Sequence, residues 1–247
     1  MLYICAFKLC YLTLVAEPTK RDIDLSASLS EIWRVLTEDE RETLRRNAKI
    51  LSYKKNERIY SEGDDPEDMM CLLKGTVKIY KAGVGGRSQI IRMIKPIQYF
   101  AYRAAFAQEA YLTNASAFEA STVCVIPMVV VEELIYGNPG LALFFIRQLS
   151  KDLGIADERT VSLTQKHIRG RLAESLLFLC DNYGLEDDGA TISIYLSRED
   201  LANLSNMTTS NAIRTLSMFV AEHIIVMDGR KIKIIDEERL RRVSRRG

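Results

Sequence analysis

Hydrophobic residues along this chain switch between two periods, and the switches outline its elements. Positions 22–46 follow the helical period. In "SEIWRVLTEDERETLRR", Ile32, Trp33, Leu36 and Leu44 recur at helical spacing, and Thr37 with Glu40 forms a capping box, hydroxyl and carboxylate each satisfying an orphan backbone donor. From Leu51 the period drops to two. "LSYKKNERIYSEGDDPEDMMCLLKGTVKIYKAGVGGRSQIIRMIKP" and "ASAFEASTVCVIP" are short alternating runs, punctuated by Asp-Asp-Pro and by Gly63, Gly75, Gly83, Gly85 and Gly86, where tight turns call for positive φ. No long helix separates these runs, which predicts an antiparallel sheet. The helical period returns over 138–165. Asn138 is set to cap, Pro139 takes the first helical position, and Leu141, Phe145, Leu149, Leu153, Ala156 and Leu163 recur at helical spacing. The helix lies between two domains and is apolar on more than one face, which predicts pairing with a second copy of the chain.

The C-terminal third mixes the two periods. A helix is predicted over 168–183, a turn at "GLEDDGA" and a strand at "TISIYL". "LSREDLANLSNMTTSNAIRTL" then reads as two short helices with a tight break. Ser197 caps the first, three residues before Asp200; Leu201 and Leu204 face inward, and Ala202 is small where the helices approach. Asn206 falls in the break and tolerates a left-handed conformation. Thr208 caps the second helix, whose core side carries Ala212, Thr215, Leu216 and Phe219. "IIVM-DGR-KIKII" closes a hairpin with Asp228-Gly229 at its tip. The order is that of a winged helix-turn-helix.

Thr209, Ser210, Asn211 and Arg214 remain for the outer face of the second helix. All can hydrogen-bond and none is acidic. That pattern suits a helix entering a DNA major groove: its N-terminal dipole favours phosphate, short side chains let the backbone approach, and Arg214 can make two bonds to guanine O6 and N7. Ser197 and Arg198, with Arg230 and Lys231 at the wing tip, are the expected phosphate contacts, and Thr208 belongs to the same surface. The whole chain thus reads as α+β: an N-terminal extension (1–21), an antiparallel, cupin-like double-stranded β-roll with a flanking helix (22–137), a dimerisation helix (138–166) and a winged helix-turn-helix (167–247).

Composition narrows the chemistry. Lysines and arginines exceed acids by one, so any contact with nucleic acid or membrane must be local rather than global. Five cysteines, an odd number with no C-x-x-C pair, read as reduced thiols in a cytoplasmic protein. Two histidines, His167 and His223, argue against a histidine-rich metal site or a Ser-His-Asp hydrolase. His167, at the junction of long helix and winged helix, reads as a cap or hinge. The apolar start "MLYICAFKLCYLTLVA" is too short to span a bilayer and lacks the basic opening of a signal peptide; it reads as an extension, with a docked arm or targeting segment as alternatives.

Four stretches taken together, "IYSEGDDPEDMMCLLKGTVKIYK", "NPGLALFFIRQLSKDL", "GRLAESLLFL" and "LSREDLANLSNMTTSNAIRTL", resemble the CRP/FNR family over about 49–236. The resemblance implies a dimeric transcription regulator that senses a ligand in its β-roll and reads palindromic double-stranded DNA, with RNA polymerase a further candidate partner and no membrane. Family members that bind cyclic nucleotide carry Phe-Gly-Glu followed ten residues later by Arg-Ser or Arg-Thr. Here those positions read Phe100-Ala101-Tyr102 and Leu112-Thr113, and the positions that would meet adenine read Ala156 and Asp157. A buried phosphate without its arginine is an unpaired anion, so cyclic nucleotide is not the expected effector. Neither haem nor an iron–sulfur cluster is expected, because Cys5 and Cys10 do not form the family's N-terminal cysteine cluster. Family members that recognise TGTGA-like half-sites carry Arg-Glu-x-x-x-Arg in the reading helix. Here Thr209, Ser210 and Arg214 keep only the last arginine, which predicts a different target.

The aromatic group around Phe100, Tyr102 and Tyr111 is either filling or the wall of a non-nucleotide effector pocket, with Arg103 as anchor and Thr113 beside it. "KAGVGGRS" reads as a hairpin turn, "EGDDPED" and "EDDG" as solvated turns, and the tail "RLRRVSRRG" as a solvated end, with DNA-backbone contact as its alternative. No nucleophile–base pair or metal-ligand set supports an enzyme. A second hypothesis stays open: a small-molecule sensor whose winged helix docks a protein instead of DNA.

Overall fold

A computed structural model of the chain describes residues 29–83 and 87–246. The apolar opening, Cys5, Cys10, Gly85 and Gly86 lie outside the described residues, as does the start of the first predicted helix. The described part of that helix is broken in two, α1 (Ser30–Trp33) and α2 (Glu38–Asn47). The break falls where Thr37 turns extended to make the capping box with Glu40, Thr37 N–H bonding Glu40 Oε2 at 2.7 Å. The first helix stops at Trp33, and Thr37 starts the next after a turn at 34–36.

Eight strands follow: β1 (Lys49–Tyr53), β2 (Arg58–Tyr60), β3 (Asp68–Lys74), β4 (Val77–Ala82), β5 (Ser88–Ile94), β6 (Tyr99–Phe100), β7 (Asn114–Ala117) and β8 (Ser121–Pro127), with a short helix α3 (Tyr102–Phe106) between β6 and β7. They form two four-stranded antiparallel sheets, β1-β8-β3-β6 and β2-β7-β4-β5. Alternation in β3 explains how they pack. Met70 and Leu72 join Val77, Ile94, Ala115, Val123 and Phe100 in the core shared by both sheets. Met69 and Cys71 point the other way, into a second core with α1, α2 and the helices after β8. Glycine is needed at the β3–β4 turn: Gly75 has φ +88, and a Cβ there would lie 2.5 Å from Ala120 O. Gly83, expected at positive φ, is not among the positive-φ residues; its N–H closes the β4–β5 turn on Arg87 O at 2.6 Å.

One β-branched residue is strained. Ile97 sits at φ 74, 45% exposed, its N–H bound to Leu72 O at 2.8 Å. Left-handed backbone costs an L-residue about 1–2 kcal/mol, and glycine would keep the hydrogen bond without that cost. Ile97→Gly should raise stability by about 1 kcal/mol, read as a rise of about 2–4 °C in the calorimetric midpoint. A lowered midpoint would refute the strain.

β8 leads into α4 (Met128–Gly137), a helix hidden from the period analysis by its β-branched run, and then α5 (Pro139–Gln165). Asn138 caps α5 as expected, its Oδ1 accepting from Leu141 N at 3.2 Å. The predicted seam needs correction. Leu141 and Phe145 are buried in the chain's own core, and Leu149 packs against it, because the first turns of α5 lie over the β-roll. Leu163 is half-buried. Of the predicted set only Leu153 and Ala156 are exposed, and the open apolar positions are Leu143, Ile146, Leu153, Ile155 and Val161. Among the described residues no single helix is long and apolar enough to cross a membrane.

The C-terminal unit comprises α6 (Ile168–Tyr183), α7 (Arg198–Leu204), α8 (Thr209–Ala221), the hairpin β9 (Ile225–Asp228) and β10 (Lys231–Ile234), and α9 (Glu237–Arg246). Three expectations change. "TISIYL" makes isolated bridges from Thr191 to Lys233 and from Leu185 to Ile192 rather than a full strand. The hairpin tip is Gly229-Arg230, since Asp228 pairs with Lys231. The tail is a helix, held by Leu240, which is fully buried in the core with Leu172, Leu176, Leu216 and Phe219. Ile90, Met93 and Phe118 of the β-roll enter that same core, so the two units share hydrophobic packing.

Candidate nucleic-acid interface and effector pocket

The reading helix α8 stands as its sequence dictates. Thr208 Oγ1 accepts from Asn211 N at 3.2 Å, and Asn206 adopts φ 50 in the turn before it. Ala212, Thr215, Leu216 and Phe219 are buried. Thr209, Ser210 and Arg214 are exposed, Thr208 and Asn211 half-buried. Arg214 donates from Nη2 to Asn211 Oδ1 at 3.1 Å, one helical turn back, which aims the guanidinium along the outer face toward the N-terminal end.

Part of the predicted phosphate-contact set has other work. Ser197 caps α7, accepting from Asp200 N at 3.0 Å, and donates to Asp200 Oδ2 at 2.6 Å. Asp200 in turn pairs with Lys78 of β4 at 3.0 Å. Arg198 is half-buried and donates to Gly229 O at 2.7 Å, so it braces the wing turn. Lys231 pairs with Glu186 at 3.3 Å and lies over the Tyr195 ring. Arg230 remains exposed. A cavity of about 450 Å³ between wing, α7 and β-roll is lined by Arg230, Tyr195, Glu199, Lys78, Tyr80 and Lys55. Lys55, on the turn after β1, thus joins the wing surface, a placement invisible to sequence because 175 positions separate it from Arg230.

Two further arginines, silent in the sequence, hold the reading unit in place. Arg159 of α5 donates to Ile90 O and Ile91 O of β5 and to Leu204 O at the end of α7, the last at 3.1 Å. Arg171 of α6 donates to Ser205 O and Asn206 O, both at 3.1 Å, and to Lys166 O at 3.0 Å. Carbonyls of the helix-turn-helix break are therefore satisfied by cations from α5 and α6. His167 stands at the N-cap of α6, exposed, and its side chain makes no capping bond.

The candidate effector residues do not form one wall. Phe100 is buried in the core between the sheets, and Tyr102 is buried on the other side against Phe106 and Phe145. Of the two alternatives for these aromatics, their burial favours filling over the wall of a pocket. Tyr111 stacks on Tyr60 with ring centroids 3.9 Å apart, and Tyr60 Oη lies 3.5 Å from Thr113 Oγ1. Tyr60 is the partner the sequence did not single out. Arg103 is exposed and pairs with Glu109 at 3.6 Å. Ala101 takes the left-handed φ 74 at the start of α3, where the family pattern has glycine. Ala156 and Asp157 are exposed on α5. Cys71 and Cys124 face each other across β3 and β8, and burial pushes the Cys124 thiol up to about 12. Among the described residues no His, Cys, Asp and Glu side chains are grouped to hold a metal ion.

Two family models match this architecture: a cyclic nucleotide-binding domain over residues 50–138 and a Crp-like helix-turn-helix domain over 170–243. The chain belongs to the CRP/FNR family of transcription regulators. It is 27% identical to electron transport regulator A of Shewanella oneidensis over 187 residues, covering 75% of this chain and 74% of that protein. It is 25% identical to the global nitrogen regulator of Nostoc sp., covering 75% and 84% respectively. The structure of FixK2 from Bradyrhizobium japonicum superposes with a TM-score of 0.71 at 23% identity, over 79% of this chain and 96% of that one. CRP/FNR regulators bind DNA and dimerise, and they are not enzymes. The stretch between the two matches, 139–169, is α5 and the start of α6.

Proposed function

We propose that this CRP/FNR regulator is a cytoplasmic homodimer that reads palindromic duplex DNA, its two α8 helices entering major grooves about one helical turn apart. The observation that carries the reading is the exposed Arg214, aimed by Asn211 along a face whose other members are small and polar. In this reading Thr209, Ser210 and Asn211 add hydrogen bonds to base edges, while Thr208, Arg230 and Lys55 meet phosphates. Self-pairing runs along the exposed Leu143, Ile146, Leu153, Ile155 and Val161 of α5. The β-roll senses an effector other than a cyclic nucleotide. Leu112-Thr113 stands where a phosphate-binding arginine is required, and the Arg103 guanidinium is exposed and paired with Glu109. RNA polymerase is the further partner we assign. No haem or iron–sulfur role is proposed.

The exposed Ile213, Met218 and Val220 on α8 favour a second reading, in which the helix docks a protein. Selection from a random duplex library, followed by a salt titration on the winning sequence, separates the two. Neutralising several phosphates makes affinity fall steeply and linearly on log–log axes, by about 0.9 log unit per log unit of salt for each contact. We expect a twofold-symmetric site and that steep slope. Failure to enrich any sequence would sink the DNA reading.

A further inference from the structure

The sequence reads the tail as a solvated end or a DNA-backbone contact; as the helix α9, it brings three of its arginines together with a fourth. Arg239, Arg242 and Arg246 follow one another at i, i+3 and i+7, beside the stripe of Leu240, Val243 and Ser244 that seats the helix on α6. That spacing places the three on one helical face. With Arg169 of α6 and Glu222 at the end of α8 they line a cavity of about 360 Å³.

Glu222 organises the floor. Its carboxylate accepts from Arg169 Nη1 and Nη2, both at 2.6 Å, and from Arg239 Nη2 at 3.1 Å, while Arg239 Nη1 donates to Glu222 O at 3.0 Å. Arg169 also lies over the Phe219 ring, 5.0 Å from its centroid. Two guanidinium groups are thus held in fixed positions. Arg242 and Arg246 have no ion pair or hydrogen bond among the described residues and are exposed at the rim. Arg241, on another side of α9, shows the contrast, neutralised by Glu237 at 2.7 Å and Asp181 at 3.2 Å. Four guanidinium groups against one carboxylate leave a formal excess of three positive charges. Planar forks in such excess match the several acceptor oxygens of a phosphoryl group better than a second carboxylate.

We infer that this cavity, formed by α6, α9 and the end of the reading helix, is a binding site for a phosphoryl group. Its source is either a backbone phosphate of the bound duplex or a free phosphorylated small molecule. The first source rests on the DNA-reading proposal and the second does not. A cavity at the C-terminal end of α8, away from the base-reading end, would add affinity without adding sequence information.

The test uses the full chain and Arg242→Ala/Arg246→Ala, a double variant of exposed residues whose melting temperature is checked first. Pyrophosphate is titrated by calorimetry against chloride at equal ionic strength, and duplex affinity is measured across a salt series. Pyrophosphate binding that the double variant loses assigns a free phosphorylated ligand. A salt slope shallower by about 0.9 for each phosphate contact removed, with base preference unchanged, assigns the duplex backbone. The site is overturned if the double variant changes neither pyrophosphate binding nor the salt slope. A parent chain that binds no duplex refutes the DNA reading alone, and pyrophosphate then decides this one.

Discussion

Arg159→Met is expected to destabilise the protein by about 2–4 kcal/mol and to let the winged helix melt apart from the β-roll. One guanidinium serves Ile90 O, Ile91 O and Leu204 O, three carbonyls belonging to β5 and to the end of α7. Burial lowers its pKa, yet an arginine stays charged, so these are charge-assisted bonds. Methionine keeps much of the aliphatic packing but donates nothing. Each carbonyl left dry loses about 1–3 kcal/mol, and solvent entering the junction recovers part of that. Calorimetry should show the first midpoint lowered by roughly 5–15 °C. Hydrogen exchange should rise together in β5 and in the α7–α8 turn. A single transition at the parent temperature would mean that the arginine couples nothing.

Arg214→Ala is expected to cost about 1–3 kcal/mol per half-site and to relax discrimination at one base pair in each. The guanidinium is exposed and makes a single side-chain bond, to Asn211, so its removal leaves no buried group unsatisfied. Stability should therefore barely change, and the loss should appear as a flattened position in a binding-site selection. A phosphate contact would behave otherwise, weakening all sequences alike and reducing the salt slope. If the variant selects the same site with the same stringency, Arg214 does not read a base and the placement of α8 in the groove is wrong.

Local signals predicted these elements well because they act within a few residues. Thr37, Asn138, Ser197 and Thr208 each cap the helix that follows them, by satisfying the N–H group three positions on. Asn206 takes the left-handed turn, and the period-two runs became antiparallel strands with both faces of β3 covered. α4 escaped because its valines carry a strand-like propensity that packing against the β-roll overrides. α9 escaped because only two apolar side chains, Leu240 and Val243, mark its seated face, although charged and buried positions are sharply segregated around the helix.

What the amino-acid order determined by itself is the sequence of elements, their caps and the composition of the reading face, since each depends on neighbours along the chain. Which side of α5 is free, that Arg198 braces the wing, that Lys55 joins it and that four arginines meet around Glu222 were decided only in three dimensions. Each depends on a carbonyl, a carboxylate or an apolar surface contributed by a distant segment. Burial and pairing are properties of the assembled neighbourhood, and no spacing along the chain encodes them.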